Sequence, residues 1–150
     1  MIYKVPHYGL RLVREGTHNV PSVGVNNSFT SDRVLTHLLG DKPVEHLVVL
    51  MLDGHQSIVG CSTVAIGGIH GLQCAVRDVF RAVVAGNAAG FIMGHNHPSN
   101  NPTPSDQDIA FTHKIVAASE VMGIPLLDHV IVTPRGGGYV SMLDKGLLKP

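Results

Sequence analysis

Residues 90 to 108 set a strand, a loop and a helix start in immediate succession, and that order leaves few folds open. Gly90 is followed by the apolar run Phe91-Ile92-Met93, which reads as a buried strand, and His95 and His97 lie just past its end. Along an extended chain, residues two apart face the same way, so the two imidazoles can converge on one ion. Pro98, Asn100, Asn101, Pro102 and Pro104 then form a loop that continues neither a helix nor a central strand. It turns the chain toward a helix that begins near Ser105 and carries Asp108 on its first turn. Two neutral imidazoles and one carboxylate would leave a divalent zinc with a residual charge of about +1 and a fourth position open to water, the pattern of a catalytic site. Water held there would be acidified toward a pKa of about 7.

Each piece also has a purely structural explanation. Ser105 and Asp108 form the S-x-x-acid capping box of a helix start, with the carboxylate at the positive end of the helix dipole. A His-x-His pair in a chain with ten histidines can be a hydrogen-bonded turn. The explanations are compatible, because a capped first turn would hold Asp108 rigid while the Ser105 hydroxyl could still turn toward a bound substrate.

The rest of the chain alternates helices and strands. Thr30 or Ser31 can cap a helix through Val34, Leu35, Leu38 and Leu39, ended by Gly40. Leu47 to Leu52 reads as a strand that turns at Asp53-Gly54 into a second strand around Ile58 to Ala65, a hairpin. Gly67, Gly68 and Gly71 interrupt the pattern before a helix from about Ala75 to Ala88, whose Val76, Val79, Phe80 and Val83 recur at helical spacing and face the core. Phe91 to Met93 is the next strand. Ser105 to Met122 is a long helix with Ile109, Ile115, Val116 and Val121 inward, and Leu126 to Val132 is another strand. Pro134-Arg135-Gly136-Gly137-Gly138 turns into a last strand at Tyr139 to Met142. The glycine triplet joins two strands, whereas phosphate loops lead from a strand into a helix, so it reads as a hairpin turn. The expected fold class is α/β, a mixed β-sheet flanked by helices.

Composition narrows the function. A chain of 150 residues with 44% hydrophobic and 15% charged residues is one domain with a real core. The formal charge is zero with Lys and Arg scattered, which argues against nucleic acid or an anionic membrane as a partner without excluding the former. Cys61 and Cys74 form no C-x-x-C pair and read as free thiols. No apolar segment of signal or membrane-spanning length is present, so a cytoplasmic protein is expected. A zinc deaminase would need a cysteine pair at ligand spacing and an H-x-E, and the chain has neither. His70 and His129 are candidate donors behind the ligands, though a lone histidine in a strand or turn is more often structural. His113 follows Asp108 by five residues, well around the helix axis, and is not counted as a ligand.

His95-x-His97-Pro98 followed by Ser105-x-x-Asp108 resembles the JAMM metalloprotease motif of the MPN/JAB fold. The similarity is to its bacterial RadC-like branch, through Arg77-Asp78-Val79-Phe80-Arg81, Asn87-Ala88-Ala89, His95-Asn96-His97-Pro98-Ser99, Pro102-Thr103-Pro104-Ser105 and Leu127-Asp128-His129. It covers roughly residues 31 to 143. The resemblance implies a cytidine-deaminase-like architecture, with residues 1–29 an amino-terminal extension and 30–150 the catalytic domain. It implies His95, His97 and Asp108 as zinc ligands, Ser105 as a stabiliser of the oxyanion, and Glu45 as the catalytic glutamate at the head of an apolar strand. The residues alone leave Glu45 open among Glu15, Asp78 and Glu120. Chemistry asks for one carboxylate within hydrogen-bond reach of the activated water, and the edge of an apolar run would tune such a group upward. Asn100 stands where the family commonly has glycine; Asn tolerates left-handed backbone angles, so the turn is expected to survive. Many family members carry a helix-hairpin-helix region before this domain, and only about thirty residues precede it here, so the functions of that region are not expected to be read from this sequence.

Three functions compete on these grounds. The leading one is a zinc metallopeptidase or isopeptidase acting on a peptide or isopeptide-linked protein. The second is a nucleic-acid-processing or DNA-repair role of RadC type, and the third a non-catalytic zinc-binding scaffold. Substrate identity and oligomeric state are left open by the sequence.

Overall fold

The computed structural model describes residues 1–67, 73–134 and 136–149; Gly68, His70, Gly71 and Arg135, named above, lie outside the described residues. Residues 1–20 carry no regular secondary structure. The chain enters the fold at Val23–Val25, where Val25 N–H donates to Gln56 O and Ile58 N–H to Val23 O, and Val25 is buried.

Helix α1 spans Ser28–Leu39. Its N-cap is Asn27, whose side chain accepts the Thr30 N–H at 2.8 Å. The cap expected at Thr30 or Ser31 therefore sits three or four residues earlier, and the helix starts two residues before the expected domain start at 30. Asn is as good a cap as Ser, and Ser31 is instead buried with its hydroxyl on Asn27 O. Strands β1, His46–Leu52, and β2, Ile58–Ile66, form the expected antiparallel hairpin. Asp53 builds the turn by accepting the backbone N–H groups of His55 and Ser57. Helix α2 is Val76–Ala85, with the Asp78 carboxylate on the Ala75 N–H. Strand β3 is Gly90–Asn96, helix α3 Asp106–Met122, strand β4 Leu126–Val132 and strand β5 Tyr139–Ser141.

The five strands make one sheet in the order β2-β1-β3-β4-β5. All pairings are antiparallel except β3 with β4, which α3 joins by a crossover. The mixed sheet with flanking helices is the α/β class expected. Strand alternation divides the core in two. Leu47, Val49, Met51, Phe91, Met93 and Ile131 pack with Val79, Phe80 and Val83 of α2 and Ile115 of α3. Val48, Leu50, Leu52, Ile92, Val130 and Val132 pack with Val34, Leu35 and Leu39 of α1.

Helix α3 differs from its expected facing. Its buried residues are Thr112, Ile115 and Ser119, whereas Val121 is 88% exposed. Val121 follows buried Ser119 by two residues, about 200° around the axis, and so points away from the sheet; Gly123, left-handed at φ 65°, ends the helix. No helix among the described residues is long and apolar enough to cross a membrane.

Gly94 sets how closely α1 approaches the sheet, because a Cβ there would run into the Leu35 side chain. Gly94→Ala should destabilise the fold by about 1–3 kcal/mol through overpacking. Urea or thermal unfolding reads this as a lower midpoint, by about 2–4 °C for each kcal/mol. An unchanged midpoint would mean that this contact gives way freely.

Candidate metal centre

Strand β3 carries the first two candidate ligands out of the core. Phe91, Met93 and His95 alternate onto the face covered by α2 and α3, and His97, two residues on, continues that face. The His95 and His97 Nε2 atoms stand 2.9 Å apart. The Asp108 carboxylate closes the group, Oδ1 lying 3.4 Å from His95 Nε2 and Oδ2 3.6 Å from His97 Nε2. One ligand atom from each of the three residues lies within 4.8 Å of the others. Two imidazole nitrogens and a carboxylate suit zinc or another borderline divalent cation, so the donor set fits the metal that the resemblance implies.

Each ligand is held from behind. His97 Nδ1–H donates to Asn101 O at 2.8 Å, which leaves the Nε2 of the neutral ring bare toward the site. The loop reaches that position because Asn100 adopts φ 64°, the left-handed angle expected of it in place of glycine. Asp108 is presented by the capping box. The Ser105 N–H and hydroxyl both donate to Oδ2, at 2.8 and 2.6 Å, and the Asp108 N–H donates to Ser105 Oγ at 3.1 Å. Oδ1 is left free to face His95.

Burial and charge set the protonation states. Burial pushes His95 down to about 4, against the Asp108 charge that raises it, so the ring is neutral near pH 7. The Asp108 carboxylate in front of His97 raises that imidazole above 6.5 against the opposing effect of burial, with Asn101 and Glu45 adding to the rise. Burial raises Asp108, but His97, His95 and the two Ser105 donors outweigh it and hold the carboxylate well below the ordinary range.

Glu45 immediately precedes β1, is half-buried, and takes the Gly67 N–H on its carbonyl at 2.7 Å. Leu47 pairs with His95 across the β1–β3 ladder, and the Glu45 charge is felt at His97. The competing acids are elsewhere. Asp78 caps α2 and pairs with Arg81 at 3.5 Å. Glu120 sits twelve residues along α3 from Asp108, roughly 18 Å down the axis. Glu15 is in the exposed segment before the fold.

Two residues carry more than the sequence suggested. Asn96, between the two histidines, is 1% exposed. Its Oδ1 accepts the His46 N–H at 2.8 Å and its Nδ2 donates to Lys42 O and Val44 O at 3.2 and 3.1 Å, stapling the segment that bears Glu45 to the end of β3. A polar residue on a strand face otherwise lined by apolar side chains was the available signal. His129 is 1% exposed and lies 2.8 Å from His95 Nδ1. His113 is turned away, its Nε2 at 3.1 Å from Leu147 O.

These protonation states give metal binding a defined pH dependence. A proton on His97 competes with a cation for Nε2, so affinity falls as pH falls through the raised His97 value, while His95 stays neutral until near pH 4. Competition with a chromophoric chelator between pH 7 and 5 should show about one proton displaced per metal, a loss of about tenfold per pH unit below the His97 value. Two protons in that range would contradict the assignment of His95 as neutral.

The RadC-like JAB domain family model matches residues 17–147. A UPF0758 protein of Carboxydothermus hydrogenoformans is 43% identical over 119 residues, 77% of this chain and 52% of its own length. UPF0758 proteins of Pelobacter propionicus and Thermotoga maritima are each 40% identical, over 80% and 69% of this chain and 53% and 46% of their own. The chain thus spans about half the length of the curated relatives it matches. With the family model covering most of its residues, the chain belongs to the RadC-like JAB domain family.

Proposed function

We propose that this domain is a zinc-dependent hydrolase of amide bonds, a peptidase or isopeptidase, with His95, His97 and Asp108 as the metal ligands. The observation that carries the reading is the convergence of these three side chains, one ligand atom of each lying within 4.8 Å of the others. Two neutral rings and one carboxylate leave a divalent ion a net positive charge of about +1. Bound zinc supplies Lewis acidity, lowering the pKa of a water toward about 7 and polarising a carbonyl oxygen.

The chain's own groups do the rest. Glu45 accepts a proton from the attacking water and delivers it to the departing nitrogen, so one carboxylate serves as base and then as acid. Ser105 holds Asp108 in the resting site through its hydroxyl, and in the reaction turns that hydrogen toward the oxygen on which negative charge develops. Asn96 keeps Glu45 in place by fixing the backbone on both sides of it.

Separating metal binding from proton transfer tests this reading. Glu45→Gln should keep the metal content of the wild type and lose about 10²–10⁴-fold in the hydrolysis of peptide and isopeptide substrates, whereas His97→Ala should lose the metal as well. Full activity in Glu45→Gln would remove the base from the account. Zinc-loaded wild type that cleaves neither substrate class would favour the scaffold, and cleavage of nucleic acid the RadC-type alternative.

A further inference from the structure

We propose that Thr112 and His129 form a hydrogen-bond relay that fixes the tautomer of His95, and that the pair are positioning residues for the metal. The inference rests on the reading of His95 as a ligand and adds how the fold prepares it. Three links join the helix that carries Asp108 to the strand that carries His95. Thr112 Oγ1 lies 2.7 Å from Asp108 O. His129 Nδ1 lies 2.6 Å from Thr112 Oγ1. His129 Nε2 lies 2.8 Å from His95 Nδ1. Thr112, His129 and His95 are each no more than 1% exposed, so no solvent enters to satisfy a mismatched partner.

Donor counting gives the chain one direction. The Asp108 carbonyl can only accept, so Thr112 donates its single hydroxyl hydrogen there; the Met142 Sδ at 3.2 Å is a far weaker acceptor. Thr112 Oγ1 is then an acceptor toward His129, whose Nδ1 must bear the hydrogen. A neutral imidazole carries one such hydrogen, so His129 Nε2 is bare and accepts from His95 Nδ1–H. His95 Nε2 is left as a lone pair aimed into the site, matching His97, whose Nδ1–H is committed to Asn101 O. Two bare nitrogens 2.9 Å apart, with a carboxylate oxygen 3.4 Å from one of them, repel each other unless a cation lies among them. With His97 neutral, the relay thereby makes the site a set of acceptors before any metal arrives, and it removes the tautomer in which His95 would donate to His97 and close the site.

The relay also ties two ligands together. Thr112 is one helical turn after Asp108, and His129 pairs with Met93 across the β3–β4 ladder, so the links span α3, β4 and β3. A shift of the helix start relative to the sheet would break the chain of bonds at Thr112.

The test compares His129→Leu, His129→Gln and Thr112→Val with wild type. Zinc affinity is read by chelator competition, the His95 tautomer of the metal-free protein by ¹⁵N NMR of its ring nitrogens, and folding by thermal unfolding. His129→Leu should weaken zinc binding by about 10–100-fold, the scale known for partners behind metal ligands. Thr112→Val should weaken it in the same direction. His129→Gln should recover most of the loss, since its amide can accept from His95 Nδ1–H and donate to Thr112. Wild-type His95 should show the hydrogen on Nδ1. Where His129→Leu does not fold, the Gln and Val variants and the wild-type spectrum decide. A hydrogen on Nε2 of wild-type His95, zinc affinity unchanged in Thr112→Val, or a Gln variant as impaired as a folded Leu variant would overturn the relay. Zinc bound by wild type and by all three variants alike would sink the relay while leaving the metal site standing, whereas no zinc on wild type would remove both.

Discussion

Strand β3 is hydrogen-bonded along both edges, antiparallel to β1 and parallel to β4, and the placement of the candidate ligands His95 and His97 follows from that double pairing. A strand gripped on both sides cannot slip by one residue without exchanging its two faces. Its alternation therefore sends His95 and His97 to the α3 side, and Gly94 and Asn96 to the side of α1. The first pair meets Asp108. The second pair serves the scaffold, Gly94 by admitting Leu35 and Asn96 by holding the segment that leads into β1.

The site is polar chemistry built at the end of an apolar core, and the two are reconciled by pairing. An unsatisfied buried polar group costs about 1–3 kcal/mol, so His95, Asn96, Thr112 and His129 would together be a serious burden if left alone. Each instead has partners in side chains or backbone, and among the described residues only Ser119 Oγ is a buried side-chain polar atom without one. The same burial that requires this pairing holds His95 and His129 neutral. Neutral rings are what a cation needs. Structural satisfaction and chemical readiness are thus one arrangement, as the Ser105–Asp108 box also shows by capping a helix and aiming a carboxylate at once.

Much of this was legible in the sequence where the physics is local. The two-residue period of a strand carried the convergence of His95 and His97, the S-x-x-D spacing carried the rigid placement of Asp108, and the tolerance of Asn100 for a left-handed angle carried the loop. Less was legible where long-range pairing decides. Glu45 and His97, fifty-two residues apart in the chain, are brought to the same end of the β1–β3 ladder, and no local spacing distinguishes Glu45 from Glu15 or Glu120; only the family resemblance did. Nothing local showed what Asn96 holds, because its partners are backbone groups of Lys42, Val44 and His46, about fifty residues away. Val121 read as core by its apolar type, although it lies on the helix face opposite Ser119.

The central claim is that three side chains from β3 and α3 hold one metal ion. Elemental analysis of purified wild type beside Asp108→Ala tests it most directly. The account predicts about one zinc per chain in the wild type and none in the variant. Zinc retained at the same ratio by Asp108→Ala, or none on the wild type even after zinc is added, would contradict it.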